Sequence, residues 1–316
     1  MTNFTNSYNK FVLGLEQINE AAAKYPEEFV DKTEQMFASE VSCVADYIRD
    51  KKCRVLMLAG PSGSGKTTTA YKIGEELEKR GSRAVIISLD DFYLGENKAP
   101  LMKDGQYDYE AVEALDIENV KECLKGLMQT GECFAPKFNF KTKSPEIKKE
   151  HIKLYKDDVA IVEGIHGLNP IFTKSLPKDG LLKAYISVKQ GIKDFNGPIL
   201  SRRDIRLVRR LVRDSHARET DAEETLSMWD NVGRGELLYI HPFKRTSDIT
   251  INSIHMYEIC VLCSTAAKLL KTVSNDSANF KLAKHVLSGI ERFYPIDEKY
   301  VPKNSLIREF IGGGIY

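Results

Sequence analysis

Eight consecutive residues, Gly60-Pro61-Ser62-Gly63-Ser64-Gly65-Lys66-Thr67, fit the pattern GxxxxGK[ST]. Each residue type has a chemical reason. Glycines let backbone N–H groups turn inward toward phosphate oxygens, and a helix that follows offers its positive N-terminal end. Lys66 reaches the terminal phosphates of a nucleoside triphosphate as a point charge, the Thr67 hydroxyl ligates Mg2+, and Thr68 ends the binding run. The string alone could arise by chance. Its position between an apolar run, Arg54–Ala59, and a helical pattern, Thr67–Arg80, closed by Gly81, gives it weight.

Three carboxylates follow apolar runs in the same way. Asp90 and Asp91 come after Ala84–Leu89, and Glu163 comes after Val159–Val162. Phosphoryl transfer needs a carboxylate that orients the acceptor hydroxyl and takes its proton, and Asp90 is the candidate. One of the adjacent pair is expected to cap a turn. Glu163 is placed to hold Mg2+, directly or through water. His166 could touch substrate or make a structural hydrogen bond, with equal weight.

An arginine-dense segment contains Arg202, Arg203, Arg206, Arg209, Arg210, Arg213 and Arg218. Leu207, Val208 and Leu211 give its helix an apolar face. The spacing of Arg206, Arg209, Arg210 and Arg213 predicts a shared stripe. Guanidinium forks suit neutralisation of a transferring phosphoryl group, and such a segment is expected to form a lid that excludes water. Nucleic-acid binding is the competing reading, and a formal net charge of +1 weighs against it. A guanine-reading NKxD is missing at Asn97-Lys98, which is followed by Ala99-Pro100 with no Asp. The residues after Glu163 are Gly164-Ile165-His166 rather than a second acid, which weakens a hydrolase reading.

The elements that must position these residues are short strands alternating with amphipathic helices. Further strands are predicted over Lys183–Val188 and Asp248–Ile251, and helices over Ile117–Gln129, Ile205–Ala217 and Met256–Val273. Alternation of this kind implies an α/β fold, a doubly wound parallel sheet with helices on both faces, and ligands at the carboxyl ends of its strands. The expected organisation is a helical appendage over residues 1–52, a nucleotide-binding domain over 53–255 with its lid at about 200–225, and a helical extension over 256–316. Leu94–Gln106 and Cys133–Glu150 read as loops. Hydrophobic residues are 42% and charged residues 29% of the chain, ordinary for a globular protein. No apolar run approaches a membrane span and no secretory pattern opens the sequence, so a cytoplasmic setting without a membrane partner is expected. Cys260 and Cys263 form a CxxC inside an apolar helical pattern and are expected to be buried, reduced thiols.

With these residues assembled, the chain resembles the uridine kinase and phosphoribulokinase family of P-loop kinases. The likeness is carried by the Gly60–Thr67 loop, Asp90-Asp91-Phe92-Tyr93, Glu163-Gly164-Ile165, and Arg206-Leu207-Val208-Arg209-Arg210 with Arg213-Asp214. Three segments, Glu163–Pro170, Glu223–Trp229 and Arg308–Gly313, are similar to a longer bacterial-type uridine kinase branch. The stretch before Gly60 is too short for that branch's N-terminal synthetase-like domain. The resemblance implies transfer of phosphate from Mg-ATP to the 5′-hydroxyl of uridine or cytidine. It implies Asp90 as base, with Tyr93 in the acceptor site and Asp108 on the ribose hydroxyls. Arg210 is implied near the acceptor, and Arg213 and Arg218 on the triphosphate. The family's base-binding stretch falls on Phe138-Asn139-Phe140-Lys141-Thr142-Lys143. Phe140 can pack on a base, but Phe138 lacks a hydroxyl and Lys143 replaces a histidine. Thr220 and Met228 replace a family arginine and glutamine. These departures keep another nucleoside or a polyol open as acceptor, and a non-catalytic nucleotide-binding regulator is the alternative from a different class. ATP and a small hydroxyl compound are the expected partners, and homo-oligomerisation is left open.

Overall fold

The computed structural model describes residues 13–139 and 141–316. Five parallel strands form its centre: β1 (Val55–Ala59), β2 (Ala84–Ser88), β3 (Val159–Glu163), β4 (Leu181–Ser187) and β5 (Ile249–Asn252), in spatial order β5-β4-β1-β3-β2. Every side chain of β1 is buried. Leu56 and Leu58 point into one hydrophobic cluster, and Val55 and Met57 into another on the opposite face. A strand buried on both faces must be apolar throughout, which is why VLMLA shows no alternation.

Helices α1 (Leu15–Lys24), α2 (Pro26–Asp50) and α3 (Lys66–Glu78) share the first cluster, and α4 (Ile117–Gln129) covers the other face. The first cluster also takes in α5 (Arg202–Ala217), α6 (Ala222–Gly235), α7 (Glu258–Leu270) and α8 (Phe280–Ile290). Local chemistry sets several of these boundaries. Pro26 opens α2 at a position where a missing N–H costs nothing. The Asp116 side chain caps α4, and Ser201 with Asp204 forms a reciprocal capping box on α5. The helical pattern read over residues 1–52 is realised as α1 and α2; its first twelve residues lie outside the described ones.

Residues far apart in sequence meet beneath the sheet's carboxyl edge. Glu34 on α2 accepts hydrogen bonds from Tyr257 Oη and Ser305 Oγ, each at 2.6 Å. The chain's last segment, with a helical turn at Arg308–Ile311, thereby returns to the start of α3.

The segment Cys133–Glu150 departs from its reading as a loop. Glu132–Ala135 pairs antiparallel with Glu150–Lys153, and Phe138–Asn139 pairs with Ser144–Pro145. Strands of two to four residues are too short to print a period in the sequence. The run Ala84–Leu89 ends as strand at Ser88, and Leu89–Phe92 forms a 3-10 turn instead.

Candidate active site

The Gly60–Thr67 loop leaves β1 and enters α3, where the sheet's strand order turns back on itself. A Cβ on Gly60 would collide with the Ile186 carbonyl, so only glycine permits this backbone approach. Gly65 caps α3 with φ +81, a left-handed conformation. Lys66 Nζ lies 3.5 Å from the Pro61 carbonyl. The Thr67 hydroxyl donates to Glu163 Oε1 at 3.2 Å, and Ser88 Oγ donates to the same oxygen at 3.0 Å.

These groups open onto a cavity of about 1080 Å³, bounded on one side by Lys66 and Thr67 and on another by Asp90, Glu163 and Arg210. Ser62, Gly63, Ser64 and Gly65 line it as well, while Gly60 and Pro61 form the approach to the loop. The oxygen-only set at Thr67 and Glu163 suits a hard divalent cation such as Mg2+, which takes few protein ligands and leaves room for phosphate and water. Burial pushes the Glu163 carboxyl up to about 7 against the pull of Lys66.

The arginine segment divides by function along its helix. Arg206 and Arg209 do not face the cavity stripe. Arg206 pairs with Glu236 at 2.5 Å and donates to the Ser62 carbonyl at 2.9 Å. Arg209, wholly buried, pairs with Glu258 at 2.5 Å and donates to the Gly63 carbonyl at 3.1 Å. These two hold the outside of the phosphate loop. Arg210, Arg213 and Arg218 line the cavity and converge on one carboxylate, Asp214, which is buried. The separations are 3.0, 2.7 and 3.6 Å respectively. Arg210 also donates to Ser62 Oγ at 3.1 Å. The helix is thus anchored in the core over most of its length. Its C-terminal half, from Arg210, and the two residues after it, Arg218 and Glu219, face the cavity.

Asp90 and Asp91 part company within their 3-10 turn. Asp90 faces the cavity, and burial raises its carboxyl above the usual range while Lys66 and Arg218 oppose the shift. Neither aspartate caps the turn. Ser88 Oγ does, accepting from the Asp90 amide at 3.3 Å. Asp91 also borders the cavity, but it accepts from the Phe138 amide and pairs with Lys137, both at 3.1 Å, and so pins the small hairpin.

At the acceptor end the placement differs from the sequence reading. Asp108 does not line the cavity: it is buried in an ion pair with Arg234 at 2.8 Å and a hydrogen bond from Tyr239 Oη at 3.0 Å. Glu110, two residues on, takes the cavity position, and burial pushes its carboxyl up to about 7 against the pull of Arg210. The alternative pairing could have been found from the residue's own spacing: Tyr109-Glu110 repeats the aromatic-acid step of Tyr107-Asp108. Tyr93, Phe138 and Lys143 line the cavity, with Tyr93 and Phe138 meeting edge to face at 5.9 Å. Phe140 lies outside the described residues. Lys143 lies 3.5 Å from Glu96. Thr220 is off the cavity, its hydroxyl on the Arg218 carbonyl, and Met228 packs its sulfur 3.9 Å from Arg210. His166 is buried beside Tyr239, and desolvation lowers its imidazole to about 4, which keeps it neutral. Cys260 and Cys263 are buried free thiols on α7, away from the cavity.

Two further residues stand inside segments that carry the family likeness but were given no role: Asp214, buried beneath the cavity arginines, and Glu309, on the cavity itself. Asp214 is legible afterwards as the residue four from both Arg210 and Arg218. Glu309 arrives from the far end of the chain, with no sequence signal linking it to the loop.

Fold and site together define a P-loop nucleotide-binding domain with a carboxylate facing the phosphate loop. The family model for the Phosphoribulokinase / Uridine kinase family matches residues 55–260, and the chain belongs to that family. The uridine kinase of Clostridium botulinum is 26% identical over 202 residues, which covers 64% of this chain and 88% of that protein. The uridine kinase of Saccharomyces cerevisiae is 27% identical over 204 residues, 63% of this chain but only 37% of the yeast protein. The solved phosphoribulokinase of Rhodobacter spheroides is 14% identical with a TM-score of 0.43, covering 66% of this chain and 74% of that one. Among the described residues no helix is long and apolar enough to cross a membrane.

Proposed function

We propose that the protein transfers the γ-phosphoryl group of ATP to a hydroxyl of a small molecule, with the 5′-hydroxyl of uridine or cytidine as the leading acceptor. One observation carries this reading: Lys66, Thr67, Glu163, Asp90 and Arg210 open onto a single cavity. Lys66 and the loop amides hold the β- and γ-phosphates. Asp90, made more basic by burial, orients the acceptor hydroxyl and receives its proton as the oxygen attacks phosphorus and the β–γ bridge oxygen leaves with ADP. Arg210, Arg213 and Arg218, oriented by Asp214, offset charge on the transferring group. A bound Mg2+ would be held by Thr67 and Glu163 and would neutralise phosphate charge. Glu110 takes the acceptor's neighbouring hydroxyls, in the place first given to Asp108.

Membership of a kinase family and likeness to uridine kinases support the nucleoside. A second acceptor class, another nucleoside or a polyol, is favoured by Phe138 and Lys143, which offer a flat apolar surface and a cation where a pyrimidine edge would need matched polar partners. The test is an ADP-release assay with uridine, cytidine, thymidine and polyols side by side. Release that depends on one acceptor is expected. Equal release without any acceptor would replace the reading with a hydrolase, and ATP binding with no turnover on any acceptor would replace it with a regulator.

A further inference from the structure

The last residues of the chain pack against the phosphate loop. Leu306 stands against Gly65, so close that a Cβ there would lie 2.6 Å from Leu306 Cδ1. The Phe310 carbonyl meets His216 Nε2 near the end of α5. Between these anchors Glu309 reaches the cavity, and its Oε2 accepts from Thr68 Oγ1 at 2.8 Å. Its other oxygen, Oε1, has no hydrogen-bond partner among the described residues. This segment lies outside the region matched by the family model, residues 55–260.

The position restricts what Glu309 can recognise. Successive helical residues are about 100° apart, so Thr67 turns toward Glu163 and Ser88 while Thr68 turns away toward Glu309. The acceptor carboxylates therefore lie on one side of the helix start and Glu309 on another. With the terminal phosphates on Lys66 and Thr67, the donor's remaining part must leave the loop away from Asp90. A carboxylate accepts hydrogen bonds only, and phosphate oxygens offer it none and repel it. The neutral donors nearest the phosphates of a nucleoside triphosphate are its ribose hydroxyls.

We propose that the C-terminal segment completes the donor site, with Glu309 Oε1 accepting a hydrogen bond from the ribose hydroxyls of the nucleotide while Leu306 and the His216–Phe310 contact hold the segment against the loop. The proposal rests on the nucleotide reading of the phosphate loop, and its test separates the two.

Binding to the full-length protein is measured by calorimetry with ATP, 2′,3′-dideoxyATP and inorganic tripolyphosphate. Loss of a hydrogen bond to a charged group is expected to weaken dideoxyATP by roughly ten-fold or more relative to ATP in the unaltered protein. Glu309→Ala should reduce that ratio toward one, Glu309→Gln should reduce it only in part because its amide oxygen still accepts, and both should leave tripolyphosphate bound. The comparison of ligands on the unaltered protein needs no variant and so stands whether or not the variants fold. Equal affinity for ATP and dideoxyATP, with tripolyphosphate still bound, would overturn the role of Glu309 and leave the phosphate loop intact. Failure of both ATP and tripolyphosphate to bind would remove the phosphate-loop reading and this inference with it.

Discussion

The two ends of the cavity are built by different means. The donor end rests on the terminus of a buried strand, the start of α3 and a helix whose arginines are tied to buried carboxylates: Arg206 to Glu236 and Arg209 to Glu258. The acceptor end is made of a 3-10 turn, the loop around Tyr109 and Glu110, and a two-residue hairpin pinned by Asp91. Phosphate geometry is the same for every substrate of a kinase, so a rigid frame serves it. Under the proposed reaction, acceptor choice would lie in loops, where substitutions cost little stability. Under that same reaction, the comparison teaches that chemistry and specificity would be mechanically separable.

If that division is right, substitutions at the two ends will fail in different ways. The largest effect is expected at the reacting centre, where Asp90→Asn should lower turnover by roughly 10²–10⁴-fold while ATP binding persists. Unchanged turnover in an ADP-release assay would take Asp90 out of the mechanism. Next comes the donor frame. Arg209→Leu leaves Glu258 buried without its partner and should cost roughly 3–5 kcal/mol of stability, read by chemical denaturation. A loss below about 1 kcal/mol would show that the frame is not rigid in the sense argued.

Glu110 supplies a pH test of the acceptor end. Its carboxyl, raised to about 7 by burial, is protonated near pH 6 and charged near pH 8. The charged form is the better acceptor for substrate hydroxyls, so the acceptor KM should fall by up to about ten-fold as pH rises through 7. The same raised pKa means the folded state holds this proton more tightly than the unfolded chain. Its contribution to stability is therefore present below about 4.5 and lost as pH rises toward 7. Glu110→Gln should flatten the KM profile; a profile that survives this change belongs to another group. The smallest effect is expected at Lys143, two-thirds exposed and 3.5 Å from Glu96. Lys143→Ala should change the ranking of acceptors by a few-fold at most and leave ATP affinity and stability alone. A Lys143→Ala protein with weakened ATP binding would erase the separation between the two ends.

Much of the donor end was readable because backbone requirements dictate residue type. Glycines must stand where the chain turns left-handed or passes another carbonyl, and a lysine and hydroxyl must follow at the helix start, so Gly60–Thr67 names its own geometry. Strand β1 was readable because burial on both faces demands an unbroken apolar run. Asp108 and Glu110 show where this kind of reading stops. Both are acids after an aromatic in one loop, and which of them turns to the cavity depends on Arg234 and Tyr239 capturing the first. The arginine stripe stops short in the same way, since spacing on one helix cannot tell which arginines meet Glu236 and Glu258 from other helices.

The sequence by itself determined the phosphate loop, the five strands of the central sheet, and the carboxylates placed after strands, because each is imposed by local backbone geometry or by burial of a contiguous run. The tertiary structure alone decided which acid faces the cavity, which arginines support the loop rather than line the cavity, and that Glu309, 241 residues beyond Thr68, reaches the same cavity. Those are choices between chemically similar side chains, and they turn on partners supplied by distant segments.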